Sequence, residues 1–213
     1  MSRTTATTGA TPAGGSSRRL SSRDLSLVAV FAGIMAALGA IPAFTPAGMT
    51  VPLTAQSMGA MLAGAVIGAR RGAMSMLVFL ALVAVGLPLL AGGRGGLAVF
   101  EGPSVGFIVG FPVAALVVGW LTELRGAPYT LEWGIPAAVV GGIAALYVFG
   151  IAGMMWRAGL GFDAAWKAAL VYLPGDLVKA VVAAFVARGV HAGYPGLLRV
   201  RRAARVERQS AAV

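Results

Sequence analysis

Asp176 and Lys179 stand three residues apart in Leu173-Pro174-Gly175-Asp176-Leu177-Val178-Lys179, within a run from Ala164 to Val186 that is otherwise almost entirely apolar. On a helix this spacing puts both side chains on one face. A charge deep in hydrocarbon costs about 2.5–3.5 kcal/mol on insertion scales, so such residues are kept when they pair or face a polar cavity. The pair therefore reads either as a self-neutralising contact or as a binding site that offers an acceptor and a donor side by side. Pro174-Gly175 favours the second reading. It predicts a helix interrupted just before the pair, with backbone groups exposed to the same place.

Four other polar residues could join a site. Gln56, in Val51-Pro52-Leu53-Thr54-Ala55-Gln56, is a lone amide that either bonds a neighbouring helix or contacts a ligand, with Thr54 as a weaker companion. Arg94 and Glu101 flank the glycine-rich stretch 91–103, either a solvated turn or a lid. As part of a lid, Arg94 would suit a carboxylate through a forked hydrogen bond. Small residues recur at Ala32, Ala36 and Ala40 and at Gly64 and Gly68. Such stripes serve internal packing or docking of another membrane subunit.

Several chemistries are excluded. There is no cysteine and only one histidine, His191, which removes thiol catalysis, disulfides and iron–sulfur clusters. A structural zinc or haem site is not expected. No G-x-x-x-x-G-K-[ST] loop or H-E-x-x-H is present, and one intramembrane acid is too few for a paired-carboxylate proton machine. No catalytic residue is expected.

These residues must be positioned by membrane helices. Of 213 residues 58% are hydrophobic and 11% charged, with a mean hydropathy of +0.85, whereas soluble domains are about 25% charged. The chain reads as an all-α, multi-pass integral membrane protein with six spans: 25–44, 53–69, 73–90, 104–121, 133–155 and 164–188. Residues 1–24 read as a disordered tail, 25–190 as the transmembrane domain and 191–213 as a basic tail. The net charge of +10 is concentrated in the tails. It indicates positive-inside topology and contact with anionic lipid rather than nucleic-acid binding. With six spans, 13 of the 17 Lys and Arg fall on one side, which makes both termini cytoplasmic. The 45–52 loop, the 91–103 loop and the start of span 6 then face outward, with the pair in the outer part of span 6.

Four stretches in order carry a family resemblance. They are Val51-Pro52-Leu53-Thr54-Ala55-Gln56; Gly86-Leu87-Pro88 with Ala91-Gly92-Gly93-Arg94-Gly95-Gly96-Leu97; Gly102-Pro103-Ser104-Val105-Gly106-Phe107; and Leu173 to Lys179. Together they resemble the BioY family, the biotin-binding S components of energy-coupling-factor (ECF) transporters. One departure is visible, since the family usually has a G-P-T-G-G-Y-like turn where this chain has Val105 and Phe107. The resemblance implies a six-helix S-component bundle in the cytoplasmic membrane. It also implies a membrane T component and two cytoplasmic ATPases as partners. ATP is then used by those ATPases, and this chain binds no cofactor. Asp176 and Lys179 would contact biotin, and Ala32, Ala36 and Ala40 would contact the T component.

The chemistry of biotin suits these residues. An ionised Asp176 accepts from a ureido N–H in a charge-assisted bond. Lys179 or Gln56 donates to the ureido carbonyl or the carboxylate, Arg94 is a further candidate for the carboxylate, and Phe107 and Leu87 would cover the ring. Rival readings are a stand-alone secondary transporter, an S component for another small vitamin and, from a different class, a membrane enzyme.

Overall fold

The computed structural model describes residues 21–45, 47–48 and 51–197. The expectations for most of both tails lie outside them. Among the described residues the chain is all-helical apart from two isolated bridges, Phe44 with Leu53 and Leu90 with Arg94.

The described residues form six helical spans, α1 (Ser22–Gly39), α2 (Gln56–Ile67), α3 (Ala69–Ala84), α4 (Val105–Arg125), α5 (Leu131–Arg157) and α6 (Phe162–Gly193), with a short 3-10 turn at Leu97–Phe100 between α3 and α4. Four of them, α1, α4, α5 and α6, are long and apolar enough to cross a membrane. The first begins at a capping box, in which Ser21 Oγ accepts from Asp24 N–H and Asp24 Oδ2 from Ser21 N–H. This satisfies two backbone donors that a helix start leaves open.

The shortness of α2 shapes the molecule. Its 12 residues extend only about 18 Å at 1.5 Å per residue, well short of a hydrocarbon layer of about 30 Å. The loops at residues 51–54 and 90–104 fill the space beyond its first turn. Each loop is tied by backbone bonds: Phe44 and Leu53 exchange two, at 3.1 and 2.7 Å, and Leu90 and Arg94 exchange two, at 3.0 and 3.2 Å. The second reversal turns through Gly92 and Gly93, with φ of 80° and 69°, a region nearly closed to residues with a Cβ.

At the opposite end, α2 passes into α3 through Gly68 alone, and Glu123 Oε1 accepts from Ala69 N–H at 3.0 Å. Arg70 and Arg71 therefore lie in the first turn of α3 rather than in a connecting loop. Arg71 pairs with Asp24 at 2.7 Å, joining α3 to the start of α1. His191 Nε2 lies 2.9 Å from Ala65 O and its ring stacks on Tyr129. His191 is thus part of α6, not of a tail. The start of α1, the α2–α3 corner, the α4–α5 connection and the end of α6 share one end of the bundle.

Close packing accounts for some of the glycines. A Cβ on Gly64 would strike Ala115 O on α4, and one on Gly119 would strike Ala69. Gly64 therefore serves internal packing, the arrangement that lets membrane helices approach closely.

Two expectations about the helices are corrected. Pro174-Gly175 does not interrupt the last span, because α6 runs unbroken over 32 residues with Pro174 inside it. Proline removes one backbone donor. In lipid, however, every other backbone group still needs a partner, and continuing the helix supplies it. The pair also lies near the middle of α6, not in its outer part. Asp176 is about 20 Å along the axis from Phe162.

Candidate ligand-binding site

The space beyond α2 is a cavity of roughly 560 Å³ when the open space at its mouth is counted. Its walls are mostly apolar and include Val51, Leu53, Leu90, Phe107, Ile108, Phe111, Leu146 and Tyr172. Gln56, Ser57, Arg94, Ser104, Asp176 and Lys179 supply polar atoms. Nine residues in this wall come from the first turn of α2, the loop before it and the loop after α3, which is why a truncated α2 matters.

Asp176 is 5% exposed. Its Oδ1 accepts from Lys179 Nζ at 2.7 Å and from Ser57 Oγ at 3.2 Å, and its Oδ2 accepts from Tyr147 Oη at 2.8 Å. Ser57 Oγ also accepts from Lys179 Nζ at 3.2 Å. The expected intrahelical pair is therefore the core of a four-residue network joining α2, α5 and α6. A carboxylate offers about four lone-pair positions and an ammonium three donors. The network uses three and two of them, leaving about one acceptor and one donor for a ligand.

Arg94 lies at the same cavity. Its Nε donates to Ala91 O at 3.1 Å and Nη1 reaches Ser104 Oγ at 3.5 Å. These bonds hold the guanidinium against the loop while further donors of its five remain for an anion.

Gln56 lines the cavity but is committed elsewhere. Its Nε2 donates to Met35 O at 3.2 Å and to Leu89 O at 3.0 Å, and its Oε1 accepts from Ala91 N–H at 3.0 Å. Both amide donors are used, so the side chain fastens α1 and the loop after α3 to the start of α2. Gly39 allows this approach, because a Cβ there would meet Leu89 O and the Gln56 amide. Thr54 also lines the cavity, whereas Glu101 is exposed in the turn before α4.

Phe107 faces the cavity as expected and sits edge-on to Tyr147 and Tyr172, with ring centroids 6.2 Å apart in both cases. Gly150 makes room for it, since a Cβ there would run into the Phe107 ring. Leu87 does not take part. It is 43% exposed and absent from the cavity wall, and Leu90 fills that place. The chain reverses at Gly86, with φ of 107°, and turns Leu87 outward.

Three contributors were not anticipated: Ser57, Tyr147 and Tyr172. Ser57 is adjacent to Gln56, and its hydroxyl was the available signal. Tyr172 donates to Val51 O at 2.8 Å and anchors the loop before α2 to α6. Tyr147 lies just beyond a π-helical segment, Val140–Ala145, in the middle of α5. The wider π turn changes the phase of all that follows, and such segments occur often at functional sites. Here Gly141 rests on Val118 of α4 and Gly142 on Met61 of α2.

The small-residue face of α1 also differs from expectation. Ala32 is 3% exposed and belongs to the core, Ala36 is partly buried and only Ala40 is exposed. The outward small residues are Ala29, Gly33 and Ala37, and nothing lies within 4 Å of the position a Cβ would take on Gly33.

Comparison with known proteins agrees with this architecture. The BioY family profile matches residues 12–196. The chain belongs to the BioY family. Among BioY relatives, the biotin transporter BioY of Rhizobium etli is 49% identical over 182 residues, covering 83% of this chain and 97% of that protein. The biotin transporter BioY of Rhodobacter capsulatus is 47% identical over 189 residues, covering 84% and 98%. A crystal structure of the S-component for biotin from an ECF-type ABC transporter superposes with a TM-score of 0.74 at 26% identity. It covers 80% of this chain and 91% of that one.

Proposed function

We propose that this chain is a biotin transporter subunit of the cytoplasmic membrane, the S component that captures biotin for an ATP-driven ECF module. It is a transport protein, not an enzyme. The observation that carries the assignment is the Asp176–Lys179 network at the base of an apolar cavity, in a BioY-family chain. Biotin presents the complement: a ureido group with N–H donors and a carbonyl acceptor, an apolar thioether ring and a carboxylate tail. Asp176 accepts from a ureido N–H, Lys179 donates to the ureido carbonyl, Phe107 and its neighbours cover the ring, and Arg94 receives the carboxylate. A buried site with paired polar groups rejects ligands that leave those groups unpaired.

The basic residues Arg23, Arg70, Arg71, Arg125 and Arg188 gather at the end opposite the cavity, which supports cytoplasmic termini and an outward-facing site. In this reading a membrane T component packs on α1 and two cytoplasmic ATPases consume the ATP, while this chain itself binds no cofactor.

Titration of the purified chain with biotin tests the ligand, with desthiobiotin and a ureido-modified analogue for comparison. Tight biotin binding that is weakened by Asp176→Asn and by Lys179→Ala is expected. Unchanged affinity in both variants would falsify the site, and preference for another vitamin would reassign the ligand. Uptake by this chain alone, driven by an ion gradient, would replace the ECF reading with a secondary transporter.

A further inference from the structure

We propose that Tyr147 is a positioning residue for ligand selectivity. It acts through Asp176 to make the site demand an N–H donor, and the π-helical segment of α5 sets its register. The inference rests on the assignment of biotin to this cavity.

Tyr147 is buried and is not part of the cavity wall, yet its hydroxyl donates to Asp176 Oδ2 at 2.8 Å. The other carboxylate oxygen is held by Lys179 and Ser57. Lys179 alone, three residues along the same helix, would fix one oxygen and leave the carboxylate plane able to turn about it. A second donor on the other oxygen, from a different helix, removes that freedom. About one of four lone-pair positions then remains for a group entering from the cavity. A ligand without a donor there leaves a buried carboxylate lone pair unsatisfied, which is the costly case.

The hydroxyl is specific to this task. Tyr172 sits against the same Phe107 ring at the same 6.2 Å, but its hydroxyl goes to Val51 O and not to Asp176. Aromatic packing and carboxylate orientation are therefore separable within one cluster. Tyr147 meets Asp176 because Val140–Ala145 is π-helical. One residue of phase turns a helix position by about 100°, enough to move a side chain off the face it would otherwise occupy.

The test is a cycle between protein and ligand. Biotin and its two mono-N-methyl ureido derivatives are titrated into wild type, Tyr147→Phe and Tyr172→Phe. Wild type should prefer biotin to one of the methylated forms by about tenfold or more. Tyr147→Phe should shrink that preference at least about threefold, whereas Tyr172→Phe should weaken both ligands alike. Independently of binding, the infrared carboxylate stretch assigned to Asp176 by its loss in Asp176→Asn should shift in ligand-free Tyr147→Phe and stay in place in Tyr172→Phe. Wild-type preference retained in Tyr147→Phe, or an unshifted band, overturns the inference and leaves biotin as the ligand. Wild type that does not bind biotin overturns the assignment and this inference together.

Discussion

Lys179 Nζ and Asp176 Oδ1 lie 2.7 Å apart near the middle of a 32-residue helix, with Ser57 of a second helix bonded to both. Such a pair is balanced internally but expensive to break, since removing one buried partner costs about 3–5 kcal/mol and replacing both by apolar groups is often neutral or stabilising. Asp176→Leu and Lys179→Met should therefore each lower the thermal midpoint of the ligand-free protein. The double variant should recover most of the loss. Biotin affinity should fall about 30-fold or more in all three. Thermal melts and calorimetric titration in one detergent check both halves, and a double variant no more stable than the singles would refute the pairing.

Gln56 separates stability from recognition. Replacement by Ala orphans Leu89 O and Ala91 N–H near the cavity, while Met35 O on α1 loses only a second donor beyond its helical one. At about 1–3 kcal/mol for each buried group left unsatisfied, the melting temperature should drop by several degrees. Biotin affinity should fall less than in Asp176→Asn. A variant with unchanged melting and abolished binding would make Gln56 a direct ligand contact.

Arg94 makes a different prediction, about the far end of the ligand. Wild type should bind biotin more tightly than biotin amide, which lacks the carboxylate charge. Arg94→Ala should erase that difference, with a loss of about 2 kcal/mol or more if the guanidinium–carboxylate contact is desolvated. Lysine at 94 should restore only part of it, because an ammonium lacks the planar fork. Equal loss for acid and amide in Arg94→Ala would assign the residue to the loop instead.

The outer face of α1 can be tested apart from the cavity. Gly33→Leu projects into open space and should leave folding and biotin binding intact. It should reduce co-purification with a T component and biotin uptake in cells. Ala32→Leu should instead lower stability, because Ala32 is in the core and overpacking there costs about 1–3 kcal/mol. Normal uptake with Gly33→Leu would move the docking surface away from this face.

The six spans, their order and the closeness of Asp176 to Lys179 on one helix face could be read directly from the chain. Long apolar runs need no partner to be recognised, and two charges in hydrocarbon stand out wherever they lie. The family was also legible, from four short motifs in order.

Other features were hidden for a common reason. In α1 nearly every position is apolar or small, so no periodicity separates the face that packs inward from the face that meets lipid. Ala32 and Gly33 look equally eligible until neighbouring helices fix the rotation. Likewise, a tyrosine in an apolar span carries no sign that its hydroxyl will reach a carboxylate 29 positions away. Leu87 and Leu90 differ only by the turn at Gly86 that sends one outward.

The sequence by itself determined that this is a membrane bundle with a costly acid–amine pair, because hydropathy and charge are properties of residues. The tertiary structure decided that α6 continues through Pro174, that Gln56 is a fastener, and that Ser57 and Tyr147 complete the network. Those outcomes depend on where each helix ends and how far it is rotated. In lipid both are set by backbone hydrogen bonding and by the close fit of one helix against another, not by an amphipathic pattern along the chain.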